Sequence, residues 1–141
     1  MKLSRTAAYA LQAILQLARS ETAGVPIPCS RLASEGKMPE RFLLQILRNL
    51  VTNGILVSAR GVDGGYALDR KPEDISLLDV IEAVDGPVVH TLPDYEGLPE
   101  DSLSKLECAL RDVTELARCK LQAVKLSHLL PMVDLPESAV G

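Results

Sequence analysis

The sequence predicts a mainly α fold with a small β-hairpin wing: a winged helix-turn-helix followed by a long C-terminal dimerisation helix. Three observations predict it. Residues 39 to 53 read as an amphipathic helix, opened by Pro39 and closed at Asn53-Gly54. That helix leads straight into two short strands around Gly61-Val62-Asp63-Gly64-Gly65, a turn with three glycines in five residues. From Leu103 onward, apolar side chains recur at three- and four-residue steps, the pattern of a helix that buries a continuous stripe. Composition agrees: 47 % of the chain is hydrophobic but only 3 % aromatic, so the core must be built from Leu, Ile, Val and Ala. Such a core suits helices packed on helices better than a β-sandwich.

Each element has its own signal. The first helix is expected from about Ser4 to Ser20, with Ser4 as N-cap and Ala7, Leu11, Ile14, Leu15 and Ala18 on one stripe. Residues 21 to 28 form a loop carrying Gly24 and two prolines. A short helix follows from about Pro28 to Glu35, stopped at Gly36. In the Pro39 helix, Phe42, Leu43, Ile46, Leu47 and Leu50 form the buried stripe. Strands are expected at Leu56 to Arg60 and Tyr66 to Leu68. Ser76-Leu77-Leu78-Asp79 reads as a capping box opening a helix that Gly86 ends. The Pro-punctuated acidic connection of residues 87 to 102 has no helical period. A helix from about Leu103 to Leu126 comes next, and Ser127 is placed as the cap of a last short turn. The expected division is 1 to 86 for the winged domain, 87 to 102 for the acidic loop, 103 to 130 for the long helix and terminal turn, and 131 to 141 for a tail that frays at its end.

Charge is distributed unevenly. Residues 1 to 70 hold 9 Lys/Arg and 5 Asp/Glu, a net of +4, whereas residues 71 to 141 hold 6 and 14, a net of −8. A basic half backed by an acidic half suits a nucleic-acid face with a partner- or solvent-facing back. The N-terminus lacks the apolar run of a secretory signal, and no stretch approaches the roughly 20 apolar residues of a membrane span. Three widely spaced cysteines make no disulfide framework. The expected location is cytoplasmic.

Opposite the buried stripe of the Pro39 helix lie Arg41, Leu44, Gln45, Arg48 and Thr52, one line of side chains. Arg pairs with guanine, Gln with adenine, and an exposed Leu meets a thymine methyl. Arg41 and Gln45 are expected at base edges, with Arg48 or Asn49 nearer the backbone. On its own this is also the solvated face of any surface helix; the hairpin behind it tips the balance. There Gly61, Gly64 and Gly65 permit close backbone approach, and Arg60 at the base suits a minor groove or a phosphate. A phosphate-cradling enzyme loop fails on context, because no Gly-Lys-Ser/Thr follows and the segment leads into a strand. No catalytic triad, Cys-His pair or carboxylate dyad can be placed in a common pocket, so no enzyme is expected.

These residues resemble the Rrf-two family of winged-helix repressors, typified by the IscR, NsrR and CymR regulators. The matching pieces are Leu3-Ser4-Arg5 with Tyr9-Ala10-Leu11, Pro39 with Arg41-Phe42-Leu43 and Gln45-Ile46-Leu47, and Asn53-Gly54-Ile55-Leu56. Most specific are Arg60-Gly61 with Gly64-Gly65-Tyr66, and the run from Ile75 to Val84. The likeness is close over residues 1 to 86 and holds only in outline for the long helix. It implies a dimeric transcription regulator with the third helix in the major groove, the wing near the minor groove and the long helix crossing its twin. Carried over by position, Arg41, Gln45 and Arg60 become DNA contacts, and Lys2, Arg5 and Tyr9 candidates for phosphate contact. Leu44 stands where cluster-binding relatives often have a Glu, so the operator sequence does not transfer.

Several relatives hold an iron–sulfur cluster with three cysteines in the loop before the dimerisation helix; here residues 87 to 102 contain none. Cys108 and Cys119 fall on about one helix face but roughly 16 Å apart, too far for one small cluster within a chain. Both are expected to be small buried hydrophobes. The alternatives are a thiol redox switch, an intersubunit disulfide, or a cluster shared across the dimer with His90 or a loop carboxylate. His90 and His128 are read as satisfied surface residues, and no resident cofactor or metal is expected. Leu103, Leu106, Leu110, Val113, Ala117, Leu121 and Val124 form the expected homodimer seam, which predicts a palindromic operator on double-stranded DNA. A winged-helix protein–protein interaction module, using Leu44 and the acidic half, is the competing expectation.

Overall fold

The computed structural model describes residues 1 to 19, 24 to 62, 64 to 92 and 96 to 131. Its elements run α1 (Arg5–Ala18), α2 (Cys29–Gly36), α3 (Glu40–Thr52), β1 (Leu56–Ala59), β2 (Gly65–Leu68), α4 (Leu77–Asp85) and α5 (Glu100–Ala123), with 3-10 turns at Pro72–Asp74 and Leu126–Leu129. The fold is the expected one: mainly helical, with one antiparallel hairpin. The expected frayed end, from Pro136 on, lies outside the described residues.

The Ser4 side chain accepts from the Ala7 N–H and caps α1, while its hydroxyl donates to Asp85 at the end of α4, 2.6 Å away. One polar residue thus closes a helix start and ties the chain's beginning to α4. The buried stripe of α1 is Ala7, Ala10, Ala13, Ile14, Leu17 and Ala18. Leu11 and Leu15, expected within it, are half-buried at its edge, because small alanines let the neighbouring helices approach closely. Helix α2 ends one residue later than expected. Lys37, not Gly36, takes the left-handed conformation (φ 54°). Gly36 instead serves a close contact: a Cβ there would meet the Met38 and Gln12 side chains at 2.6 and 2.7 Å, and the Gln12 amide donates to the Gly36 carbonyl.

Leu43, Ile46, Leu47 and Leu50 of α3 are buried in one cluster with Ile14, Leu17, Leu32, Ile55, Leu56, Ile75, Val80 and Leu126. Gly54, at φ 75°, turns the chain from α3 into the hairpin without the steric cost a side chain would bring. The register is Leu56↔Leu68, Val57↔Ala67, Ser58↔Tyr66 and Ala59↔Gly65. Ser76 and Asp79 form the expected capping box, and Gly86 ends α4 at φ 84°.

Helix α5 begins at Glu100, three residues before the expected start, and stops at Ala123. Pro99 and the carboxylates of Glu100 and Asp101 suit a first helical turn, where the macrodipole favours negative charge. The chain then pairs with the segment before α4: the Leu77 N–H donates to Val124 and the Leu126 N–H to Ile75. Leu126 is fully buried and anchors this return. The last 3-10 turn is capped from Lys125, whose N–H donates to His128 Nδ1, rather than from Ser127. His128 is therefore a locally satisfied side chain. Among the described residues, no helix is long and apolar enough to cross a membrane.

Candidate nucleic-acid interface

Helix α3 turns its apolar stripe into the core and leaves Arg41, Gln45, Arg48 and Thr52 exposed on the other side. The Gln45 amide donates to Asn49 Oδ1 at 3.2 Å, and the Thr52 hydroxyl donates to the Arg48 carbonyl. The Gln45 contact is between exposed side chains and gives way readily to a better acceptor. Leu44 is half-buried at one edge of this face.

Phe42 corrects the sequence expectation. It is 41 % exposed rather than part of the core, because Leu43 and Ile46 already fill the space beneath α3. Its ring meets Tyr9 of α1 edge to face, with centroids 5.8 Å apart and planes at 76°. That contact sets the basic start of α1 beside the first turn of α3. Lys2 and Arg5 are exposed and Tyr9 is half-buried. Arg5 lies one turn before Tyr9 on α1, so the two share the helix side that meets Phe42.

The hairpin leaves α3 after only three residues. Arg60 and Gly61 are exposed past the end of β1, Val62 is fully exposed at the tip, and Asp63 lies outside the described residues. Gly61 sits at φ 110° and its carbonyl accepts from the Gly64 N–H at 3.0 Å. The other two glycines serve the chain itself. A Cβ on Gly64 would lie 2.5 Å from the Ala59 carbonyl oxygen, and one on Gly65 would lie 2.3 Å from the Ile27 carbonyl carbon. Across that approach the Ile27 N–H donates to the Tyr66 carbonyl at 2.9 Å and the Tyr66 N–H to the Ile27 carbonyl at 2.8 Å. The close backbone approach expected at Gly65 is thus made to Ile27 and Pro28, and it pins the wing to the entrance of α2. Gly65→Ala should destabilise the protein by about 1–3 kcal/mol, the usual cost of forced overpacking. Chemical denaturation measures it, and faster amide exchange at Tyr66 would report the opened bridge.

Helix α5 has no buried residue along its 24 positions, roughly 36 Å of helix. The expected seam divides. Leu103, Leu110, Ala117, Leu121 and Val124 are half-buried, and near the helix end this is the side tied to α4. Leu106 and Val113 are exposed and join Ala109 and Leu116 in a second, uncovered stripe. Sequence periodicity missed this shift because Ala109 and Leu116 fit the same three- and four-residue steps one row over.

The tie to α4 is Arg118, whose Nη1 lies 2.6 Å from Glu82 Oε2 and also donates to the Val88 carbonyl. The hydrogen bond from Arg118 holds the Glu82 carboxyl below its usual range, against partial burial that raises it. A carboxylate with a depressed folded pKa stabilises the fold at neutral pH and loses that contribution as pH falls through its folded value. Glu82→Gln should therefore lower the thermal midpoint most near pH 7, and the difference from wild type should vanish in acid.

Cys108 and Cys119 are exposed, not buried as expected: among the described residues no other element packs over either side chain. Cys29 is half-buried near the Glu40 carbonyl; burial, then the Glu40 charge, pushes its thiol up and keeps it protonated. His90 is half-buried. Among the described residues no three His, Cys, Asp or Glu side chains converge to hold a metal ion. They do not fit an iron–sulfur cluster within one chain.

Residues 3–131 match the family model Rrf2, described as Iron-dependent Transcriptional regulator. The chain is 36 % identical over 124 residues to Rv1287 of Mycobacterium tuberculosis, which is assigned to the HTH-type transcriptional regulators; the match covers 88 % of this chain and 75 % of that one. It is 34 % identical over 131 residues to the HTH-type transcriptional regulator IscR of Escherichia coli, covering 92 % and 80 %. Among solved structures, CymR, the global cysteine regulator of Bacillus subtilis, superposes with a TM-score of 0.71 at 28 % identity, covering 92 % of this chain and 95 % of that one.

Proposed function

Because the chain belongs to the Rrf2 family of transcription regulators, we propose that it acts as a homodimeric repressor on a palindromic operator, with α3 in the major groove and the wing beside the adjacent minor groove. One observation carries the reading: Arg41, Gln45 and Arg48 share the exposed face of a helix that is followed at once by a tethered hairpin with Arg60 at its base. In this reading Arg41 and Gln45 meet base edges, Leu44 flanks them, and Arg48 grips the backbone. Arg60 enters the minor groove, drawn by its negative potential, while Gly61 leaves room at the tip. Gly64 and Gly65 hold the wing in place. Lys2, Arg5 and Tyr9 meet phosphates on the flank of α3.

The second copy sits on the uncovered stripe of α5. Leu106, Ala109, Val113 and Leu116 step by three, four and three residues, the spacing of a coiled-coil seam. Joining two winged domains through this helix sets two α3 helices against successive half-sites on one side of the duplex.

The test is selection of duplexes from a randomised pool by the purified protein, followed by fluorescence anisotropy across a salt series. The expected outcome is an enriched inverted repeat whose affinity falls steeply with salt, as phosphate neutralisation requires. Enrichment of no sequence, with no salt-dependent duplex binding, would favour a protein-interaction module instead.

A further inference from the structure

Phe42 is the one phenylalanine of the chain, stands in the first turn of α3, and leaves 41 % of its surface exposed. At 100° per residue, Arg41, Gln45, Arg48 and Thr52 line the middle of the outward face, and Phe42 lies at one edge beside Asn49. The ring rests edge-on against Tyr9. Tyr9 in turn packs against the buried core, so one side of Phe42 is braced while the rest is open.

From this arrangement we propose that Phe42 is an apolar base reader, meeting the C5-methyl of a thymine next to the bases met by Arg41 and Gln45. The inference rests on α3 being the reading helix. The thymine methyl is the one apolar group a base pair shows in the major groove, and a phenyl ring is among the groups that meet it. Recognition helices present their N-terminal residues to base edges, and Phe42 is the third residue of α3. A ring already held by an aromatic neighbour has little rotamer freedom left to lose on binding. The same ring against a deoxyribose would give affinity without regard to the base, and the experiment separates these two cases.

Duplexes enriched by the wild-type protein from a randomised pool would be resynthesised with each thymine replaced in turn by deoxyuridine, which removes only the methyl. Wild-type protein should lose about fourfold in affinity at one position per half-site, the worth of roughly one buried methyl-sized group. Phe42→Ala should bind the parent duplex more weakly and show no further loss at that position; Phe42→Leu should retain part of it. Indifference of the wild type to every deoxyuridine would overturn the proposal, as would a methyl penalty that survives in Phe42→Ala. Enrichment of no sequence by the wild type would overturn both Phe42's role and α3 as the reading helix. An enriched sequence without a methyl effect would sink Phe42 alone.

Discussion

Replacing Arg41 by alanine should weaken operator binding by roughly 5- to 150-fold, the range of one bidentate base contact. Adding Arg60→Ala should deepen the loss and reduce the slope of log affinity against log salt by about one. Both side chains are exposed, and neither α3's packing nor the hairpin's bridge to Ile27 depends on them. The unfolding midpoint should therefore stay within the small range typical of surface substitutions, and the oligomeric state should not change. Arg41 acts at base edges, so its loss should also relax sequence preference. Loss of Arg60 should weaken all duplexes more evenly. If both variants bind a selected duplex as wild type does, the face of α3 and the wing have been assigned to the wrong partner.

The second large effect is expected at α5. Val113 and Leu116 are 62 % and 72 % exposed, the two most uncovered large apolar side chains of the helix. Val113→Glu with Leu116→Glu would put two carboxylates into the seam, where burial without a partner is costly. Sedimentation should show a monomer. Operator affinity should drop by about 100-fold or more, since the second half-site is then no longer delivered by the first. Cys108→Glu, off that stripe, should leave the dimer intact. A dimer that survives the double change would move the interface elsewhere.

The fold was legible because its punctuation is local. Ser4 and the Ser76–Asp79 capping box act on backbone N–H groups within three residues, Gly54 and Gly86 through their own φ, and all four stand where the sequence predicts them. Sequence and structure part where tertiary contact decides. Gly36 reads as a helix stop, yet its lack of a side chain serves a contact with Gln12 and Met38, so Lys37 takes the left-handed turn. Gly65 reads as room for an outside surface, yet the surface it meets is the chain's own Ile27.

Phe42 and the two cysteines of α5 show the same limit from another side. An aromatic next to a buried stripe is ordinarily core, and only the filled space beneath α3 reveals that it is not. Cys108 and Cys119 are apolar enough to bury, but burial needs a neighbour, and among the described residues both stay exposed on α5. Which row of α5 faces α4 was likewise settled by Arg118 and Glu82, residues 36 apart in the chain, and not by helical period.

Hydroxyl-radical footprinting of the wild-type protein on a duplex it has itself enriched would bear most directly on two winged domains gripping one DNA. Two protected blocks, symmetric about a centre and offset by one or more turns of about 10 base pairs, are the predicted pattern. A single unpaired block, or protection that persists unchanged when Arg41 and Arg60 are both alanine, would contradict it.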